Sequence, residues 1–373
     1  MKNALILLAL PALFLTACTK NDDSAKKNLV VPTSYVSIDY DTNTFEDRML
    51  ATRFANLLAT IKPGENQANT LDLNVLLAAW NEGGALSLKT KCGPIASGIE
   101  NMLFPELVKH SGKTYHPNHG DTATLGGVFE GRLLNQGAFE IVQSVDKGSY
   151  AGMFLYRILE LKKGNFDHKV LDQMLALYGA HPSFPNTPTV ANTPKPDKYI
   201  ANYAARRDKN DGSGYYSKIK TEFLTLHAAI KAGNEYTDEK EQAFARLIQN
   251  MEKALAATSI NYLNSAISKL SKTNPTDTDK AGALHDLSEA LGFIQGFDQL
   301  NSPYITISNG DITAIEEHLH INGQGYRYYE FTNDPITHIT DIVAAITKLQ
   351  TIYQFTPGEM IDFKTNWVSA QGR

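Results

Sequence analysis

The chain has 373 residues, 42% of them hydrophobic and 20% charged, with a formal net charge of −5. That is enough apolar material for a real core in one large domain or two ordinary ones, so an extended disordered chain is excluded. The mild acidity, with no cluster of Lys and Arg to neutralise phosphates, argues against a nucleic-acid partner.

Met1 and Lys2 precede an apolar run from Ala4 to Leu15, then Thr16, Ala17 and Cys18. One positive charge, a short apolar stretch and small residues before a cut describe a secretory signal peptide over residues 1–17. As a helix the run covers about 18 Å, too short for a hydrocarbon core of roughly 30 Å. Leu15-Thr16-Ala17-Cys18 resembles the lipobox of bacterial lipoproteins. That resemblance implies that the Cys18 thiol is acylated, and stable anchoring takes more than one acyl chain. Thr19, where Asp would be the retention signal, resembles the pattern of lipoproteins that proceed to the outer membrane. Residues 18–29 are polar and read as a flexible tether. With Cys18 lipidated, Cys92 has no partner, and it reads as a small buried apolar residue.

Beyond the tether the pattern is helical. Residues 30–180 form an N-terminal half with helices expected over Phe45–Ile61, Leu71–Trp80, Ile95–Val108, Phe129–Val145, Tyr150–Lys162 and Lys169–Tyr178. Gly and Pro near the ends of several of these set the stops. Five prolines between 181 and 196 mark a connector. In the half from 197 to 373, Asp197 is expected to cap a helix through Arg207, followed by Tyr215–Ala232. Asp238 and Glu241 read as a capping box for a long helix to Lys272, and Thr276 opens the next, to Phe297. Tyr304 to Ile307 alternates weakly before Asn309-Gly310, a hairpin-type signal, or else Asp311 caps a helix through Leu319; Pro335–Tyr353 is helical, and Pro357 starts a last one. The expected fold is all-α, two helical bundles in one compact mature chain with little β structure.

The helix after Pro275 carries the candidate site. At 100° per residue, His285, Glu289, Gly292 and Gly296 share a narrow stripe with Ser288 at its edge, on an otherwise mainly apolar helix. Two readings follow. His285 and Glu289, one turn apart, offer an imidazole and a carboxylate to a metal ion or a polar ligand, with Ser288 as a further ligand-binding candidate. Alternatively the glycines admit a second helix, and the polar groups hydrogen-bond across the contact. Two weaker polar groups are His116, His119 and Asp121, and Glu316, Glu317, His318 and His320. No nucleophile elbow, His-Glu-x-x-His or phosphate loop occurs, so no catalytic residue is assigned.

The stretch His285-x-x-Ser288-Glu289-Ala290-x-Gly292-Phe293 resembles a signature of an uncharacterised family of bacterial lipoproteins known only as a domain of unknown function. Val31-Pro32-Thr33-Ser34-Tyr35 and the break at Lys147-Gly148 look like the same family. More distantly, the helical pattern resembles the imelysin-like envelope proteins, which are linked to iron uptake and in some cases classed as metallopeptidases. Their Gly-x-His-x-x-Glu motif is displaced here: Gly282 stands one position early, and Ser288 occupies the Glu position. The expected function is that of a membrane-anchored, non-catalytic envelope binding protein for a metal or an iron chelate. The alternatives are an imelysin-like metallopeptidase and a purely structural lipoprotein.

Overall fold

The computed structural model describes residues 26–117, 126–323 and 325–373. Cys18, His119 and Asp121 lie outside them. Among the described residues no helix is long and apolar enough to cross a membrane.

The N-terminal half holds α1 (Phe45–Ile61), α2 (Leu73–Asn81) and α3 (Phe104–His110). The antiparallel strands β1 (Gly127–Phe129) and β2 (Arg132–Leu134) follow. Then come α4 (Val142–Asp146), α5 (Tyr156–Lys162) and α6 (His168–Tyr178). The C-terminal half begins with α7 (Tyr199–Arg206), α8 (Tyr215–Ala232), α9 (Thr237–Leu270) and α10 (Asp277–Gln295). Beyond them lie α11 (Asn309–His318), the two-residue strands β3 (Ile321–Asn322) and β4 (Gly325–Tyr326), and α12 (Tyr329–Asn333). The last elements are α13 (Pro335–Tyr353), α14 (Pro357–Asp362) and α15 (Trp367–Gln371). With 64% helix and 4% strand, the fold is all-α.

The organising element is α9, whose 34 residues span about 51 Å. From Ala254 to Ile260 it is buried on every side. Ala254, Ala256 and Ala257 allow neighbours to approach closely, as befits a helix with no solvent face. It packs chiefly on α8 and α10, with α7 and α13 also against it, while α4 lies along α10. A single apolar core runs from Tyr35 to Val368, so the segment 181–196 joins two parts that share it. Glu252, fully buried on α9, accepts the backbone N–H groups of Thr306 and Ile307 and the Tyr353 hydroxyl. It thereby fixes the irregular stretch before α11.

Four local expectations are corrected. Residues 127–134 form a hairpin where a helix was expected, because Glu130 and Gly131 both take positive φ, the two-residue turn that a right-twisted strand pair requires. Helical structure resumes only at Val142. Asp197 does not cap α7: its carboxylate accepts Thr187 N–H and Tyr216 Oη–H instead. No capping bond forms at the start of α9. At α11 the N-cap is Ser308, with Asp311 completing the box three residues on.

Candidate functional site

The polar stripe of α10 faces the segment from Glu140 to Gly148. That segment is placed by the hairpin: β2 runs into Asn135, whose side-chain oxygen accepts Gly137 and Phe139 N–H. A bridge from Leu134 to Glu140 then turns the chain toward α10. Ser288, fully buried, accepts the Glu140 N–H at 3.0 Å and donates to the Leu284 carbonyl. It is a backbone anchor between the two segments.

His285 and Glu289 do not meet each other directly; His285 Nε2 lies 3.7 Å from Glu289 Oε2, beyond a hydrogen bond. Each is taken by a residue of the opposite segment. His285 Nδ1 lies 2.6 Å from Glu140 Oε2, and Glu140 is fully buried. Glu289 Oε1 accepts from Lys147 Nζ at 2.9 Å, and Lys147 also pairs with Asp146 at 2.6 Å. The Lys147 ammonium further lies 5.5 Å over the Tyr203 ring. Arg132 reaches Glu140 Oε1 at 3.7 Å, and Gln143 Nε2 donates to the same oxygen.

Burial is the largest influence on His285 and pulls its pKa down, but the Glu140 carboxylate, with Glu289 behind it, holds it above its ordinary value. Burial likewise presses the Glu289 pKa up, and Lys147 and His285 overcome it, so the carboxylate sits below its usual range. With His285 protonated, the network holds Arg132, Lys147 and His285 against Glu140, Asp146 and Glu289. It is balanced in charge. A divalent cation bound between His285 and Glu289 would have to displace the Lys147 ammonium and the imidazole proton together.

The glycines one and two turns further on close the contact. A Cβ built on Gly292 would lie 3.0 Å from Lys147 Cβ and nearer still to the Gln143 carbonyl oxygen. On Gly296 it would meet the Gly148 carbonyl, and on Gly152 the Ile95 side chain. The seam opens beyond Gly296 into a cleft of about 490 Å³ whose lining includes Gly148, Met102, Ile312, Gln295, Glu316 and Tyr326. Along its polar wall Ser144 donates to Gln295 Oε1, and Gln295 Nε2 donates to Glu316 Oε1, both at 2.8 Å. Cys92 is buried on Gly152, and its thiol pKa is pushed up to about 12 by burial, as suits a packing residue.

Partners that the sequence does not single out are Glu140 and Lys147. A buried charge in an apolar stretch next to a Gly, as at Lys147-Gly148, is the only local signal. A second cluster joins His320 to His338 and Asp341 on α13, residues that sequence spacing does not connect. Of the weaker group Glu316, Glu317, His318 and His320, Glu316 lies in the cleft and His320 in that second cluster. Asp208, with Asn210 in the turn before α8, accepts backbone N–H groups of Asn210 and Ser217 and so serves the turn itself.

Fold and seam define an all-α protein built on a charge-balanced helix contact. Residues 167–348 match the family described as Domain of unknown function (DUF4856). The match covers the segment from α6 to most of α13, with His285, Ser288, Glu289 and Gly292 of α10 and Gly296 just after it, whereas Glu140 and Lys147 fall before it. No curated protein and no solved structure matches the chain.

Proposed function

We propose that this chain is a bacterial envelope lipoprotein, anchored by acylation of Cys18 and carried to the outer membrane, whose helical body binds a small ligand without transforming it. The observation that carries the binding role is a sealed, charge-neutral seam that opens, at Gly148 and Gly296, into the 490 Å³ cleft. Such a volume falls within the range of small-molecule sites, and its walls mix apolar side chains such as Met102 and Ile312 with polar ones such as Gln295, Asp298 and Glu316. A ligand the size of a metal chelate suits it. Catalysis in the imelysin manner finds no support in the seam: Glu289 is held by Lys147, and His285 by Glu140. The anchor rests on the lipobox-like Leu15-Thr16-Ala17-Cys18.

Two readouts test the two halves. Cells fed an alkyne fatty acid should label the wild-type chain, which sediments with membranes, and should not label Cys18→Ser. Equal labelling of both chains, or none of either, refutes the anchor. For the cleft, Gly98→Trp is a plug: a Cβ there meets nothing within 4 Å, and Gly98 lines the cavity. Native mass spectrometry of detergent-extracted protein should find a small-molecule adduct on the wild type and not on Gly98→Trp. An adduct unchanged by the plug, or no adduct on the wild type, removes the cleft.

A further inference from the structure

We infer that His320, His338 and Asp341 form a binding site for a divalent first-row transition metal of the zinc class, with Glu330 orienting His320. It stands apart from the anchor, the seam and the cleft, and depends on none of them.

The three residues each bring one donor atom to a common point, all within 4.8 Å of one another. His320 Nε2 lies 2.9 Å from Asp341 Oδ2, and His338 Nδ1 lies 3.3 Å from the same oxygen. A tetrahedral metal with bonds of about 2.0–2.2 Å sets its donors roughly 3.3 Å apart, so two of the three edges are already near that spacing. The third closes by rotation of His338, which sits half-buried in the first turns of α13. His338 and Asp341, three residues apart on that helix, share one face.

His320 is the fixed member. It follows the end of α11 with φ +59°, a left-handed conformation that is unfavourable for a non-glycine residue and persists only where its surroundings enforce it. Here they do: His320 N–H donates to the Glu317 carbonyl, and its own carbonyl accepts Arg327 N–H across the β3–β4 hairpin. The ring is pressed on Phe331, with centroids 4.3 Å apart. Its Nδ1 faces Glu330 Oε2 at 2.5 Å, and the other Glu330 oxygen is held by Arg327 at 3.1 Å. A carboxylate on one ring nitrogen, itself anchored, is the outer-shell arrangement that fixes a metal-ligating histidine and raises its basicity.

The charge logic is opposite to that of the seam. Among the described residues no lysine is paired with Asp341, and the near groups include His320, His338, Glu330, Asp334 and Arg327. A metal on Nε2 takes the place of the direct His320–Asp341 contact and leaves Glu330 on Nδ1. Two nitrogens and one carboxylate favour zinc-like ions over magnesium or calcium. Asp341 and His338 are more exposed than His320, so the ion enters from their side.

The test uses the full chain in detergent, stripped with a chelator and titrated with Zn²⁺ against a competing indicator. One ion per chain is expected, undisturbed by excess Mg²⁺. His320→Gln and Asp341→Asn should each weaken binding by at least ~100-fold, and Glu330→Gln by ~10–100-fold. His338→Gln, at a partly exposed position, should weaken binding with unchanged circular dichroism and decides the matter if His320→Gln fails to fold. His285→Gln should bind as the wild type does. Absence of Zn²⁺ binding by the wild type, full binding by His338→Gln and Asp341→Asn, or loss on His285→Gln instead would each overturn the site. Fatty-acid labelling and the Gly98→Trp result are independent of all these outcomes.

Discussion

Gly292 is where the seam can be broken with the least chemistry. Gly292→Ala adds one carbon in the interior of α10, where alanine is favoured over glycine by about 1 kcal/mol. That carbon would stand 3.0 Å from Lys147 Cβ and from the Gln143 carbonyl carbon, with the carbonyl oxygen closer still. Both obstacles are anchored, the first by the Lys147–Glu289 pair and the second by the helical backbone of α4, so α4 must move by about an ångström away from α10. Overpacking of this kind costs typically about 1–3 kcal/mol, and a backbone obstacle puts it at the upper end. The net expectation is about 1–2 kcal/mol of destabilisation, and for Gly292→Leu about 3 kcal/mol or more. Gly98→Ala provides the reference, because its Cβ meets nothing within 4 Å, and should gain up to about 1 kcal/mol. Urea unfolding followed by circular dichroism reads both as midpoint shifts at constant slope. Opposite signs are expected. If Gly292→Ala is as stable as the wild type, the glycine stripe does not control the approach of the two segments.

Other consequences can be measured in the same way. His285→Gln leaves the buried Glu140 without its nearest cation and should destabilise by about 3 kcal/mol. Because the folded pKa of His285 is raised above 6.5, its contribution is full in mild acid and is lost as pH rises through the folded value, so the wild-type advantage should shrink in alkali; a constant gap would contradict it. Asp47, buried with Oδ2 unpaired, has its carboxyl raised to about 6, chiefly by burial. Its unfolded form releases the proton near 3.8, so stability falls as pH rises between those two values, and Asp47→Asn should add about 1–3 kcal/mol of stability at neutral pH, read from the urea midpoint, and lose that gain in acid. Glu252→Ala removes the acceptor for two backbone N–H groups and should cost about 3–5 kcal/mol, with faster hydrogen exchange at Thr306 and Ile307.

What the chain discloses without a structure follows from how local each feature is. The bounds of α8 and α13 coincide with their sequence reading because Gly233 and Pro335 act on the helix they delimit. The 127–134 hairpin escapes notice because Glu130-Gly131 is not one of the common turn pairs, and its strands show no alternation: Val128, Phe129, Leu133 and Leu134 are all buried. Asp197 has the look of a cap, but it is claimed by Thr187 and Tyr216 from other parts of the chain, and no local rule contains those partners. The stripe on α10 is legible since one helix holds all of it. Glu140 and Lys147, which decide its charge state, come from a segment more than a hundred residues earlier.

The two histidine clusters show why residue type alone does not assign chemistry. At His285 the opposite wall supplies a lysine, and the fully buried Glu140 supplies the counter-charge. Positive and negative groups match one for one, and the glycines remove the space. At His320 the described neighbours are carboxylates and a second histidine, and the Arg327 guanidinium is spent on Glu330, away from Asp341. A cation added to the first cluster meets an ammonium already in place; added to the second, it meets a carboxylate flanked by two imidazoles. The seam is therefore a joint whose charges serve packing, and the cluster at the end of α11 is where a metal ion finds both its ligands and its way in.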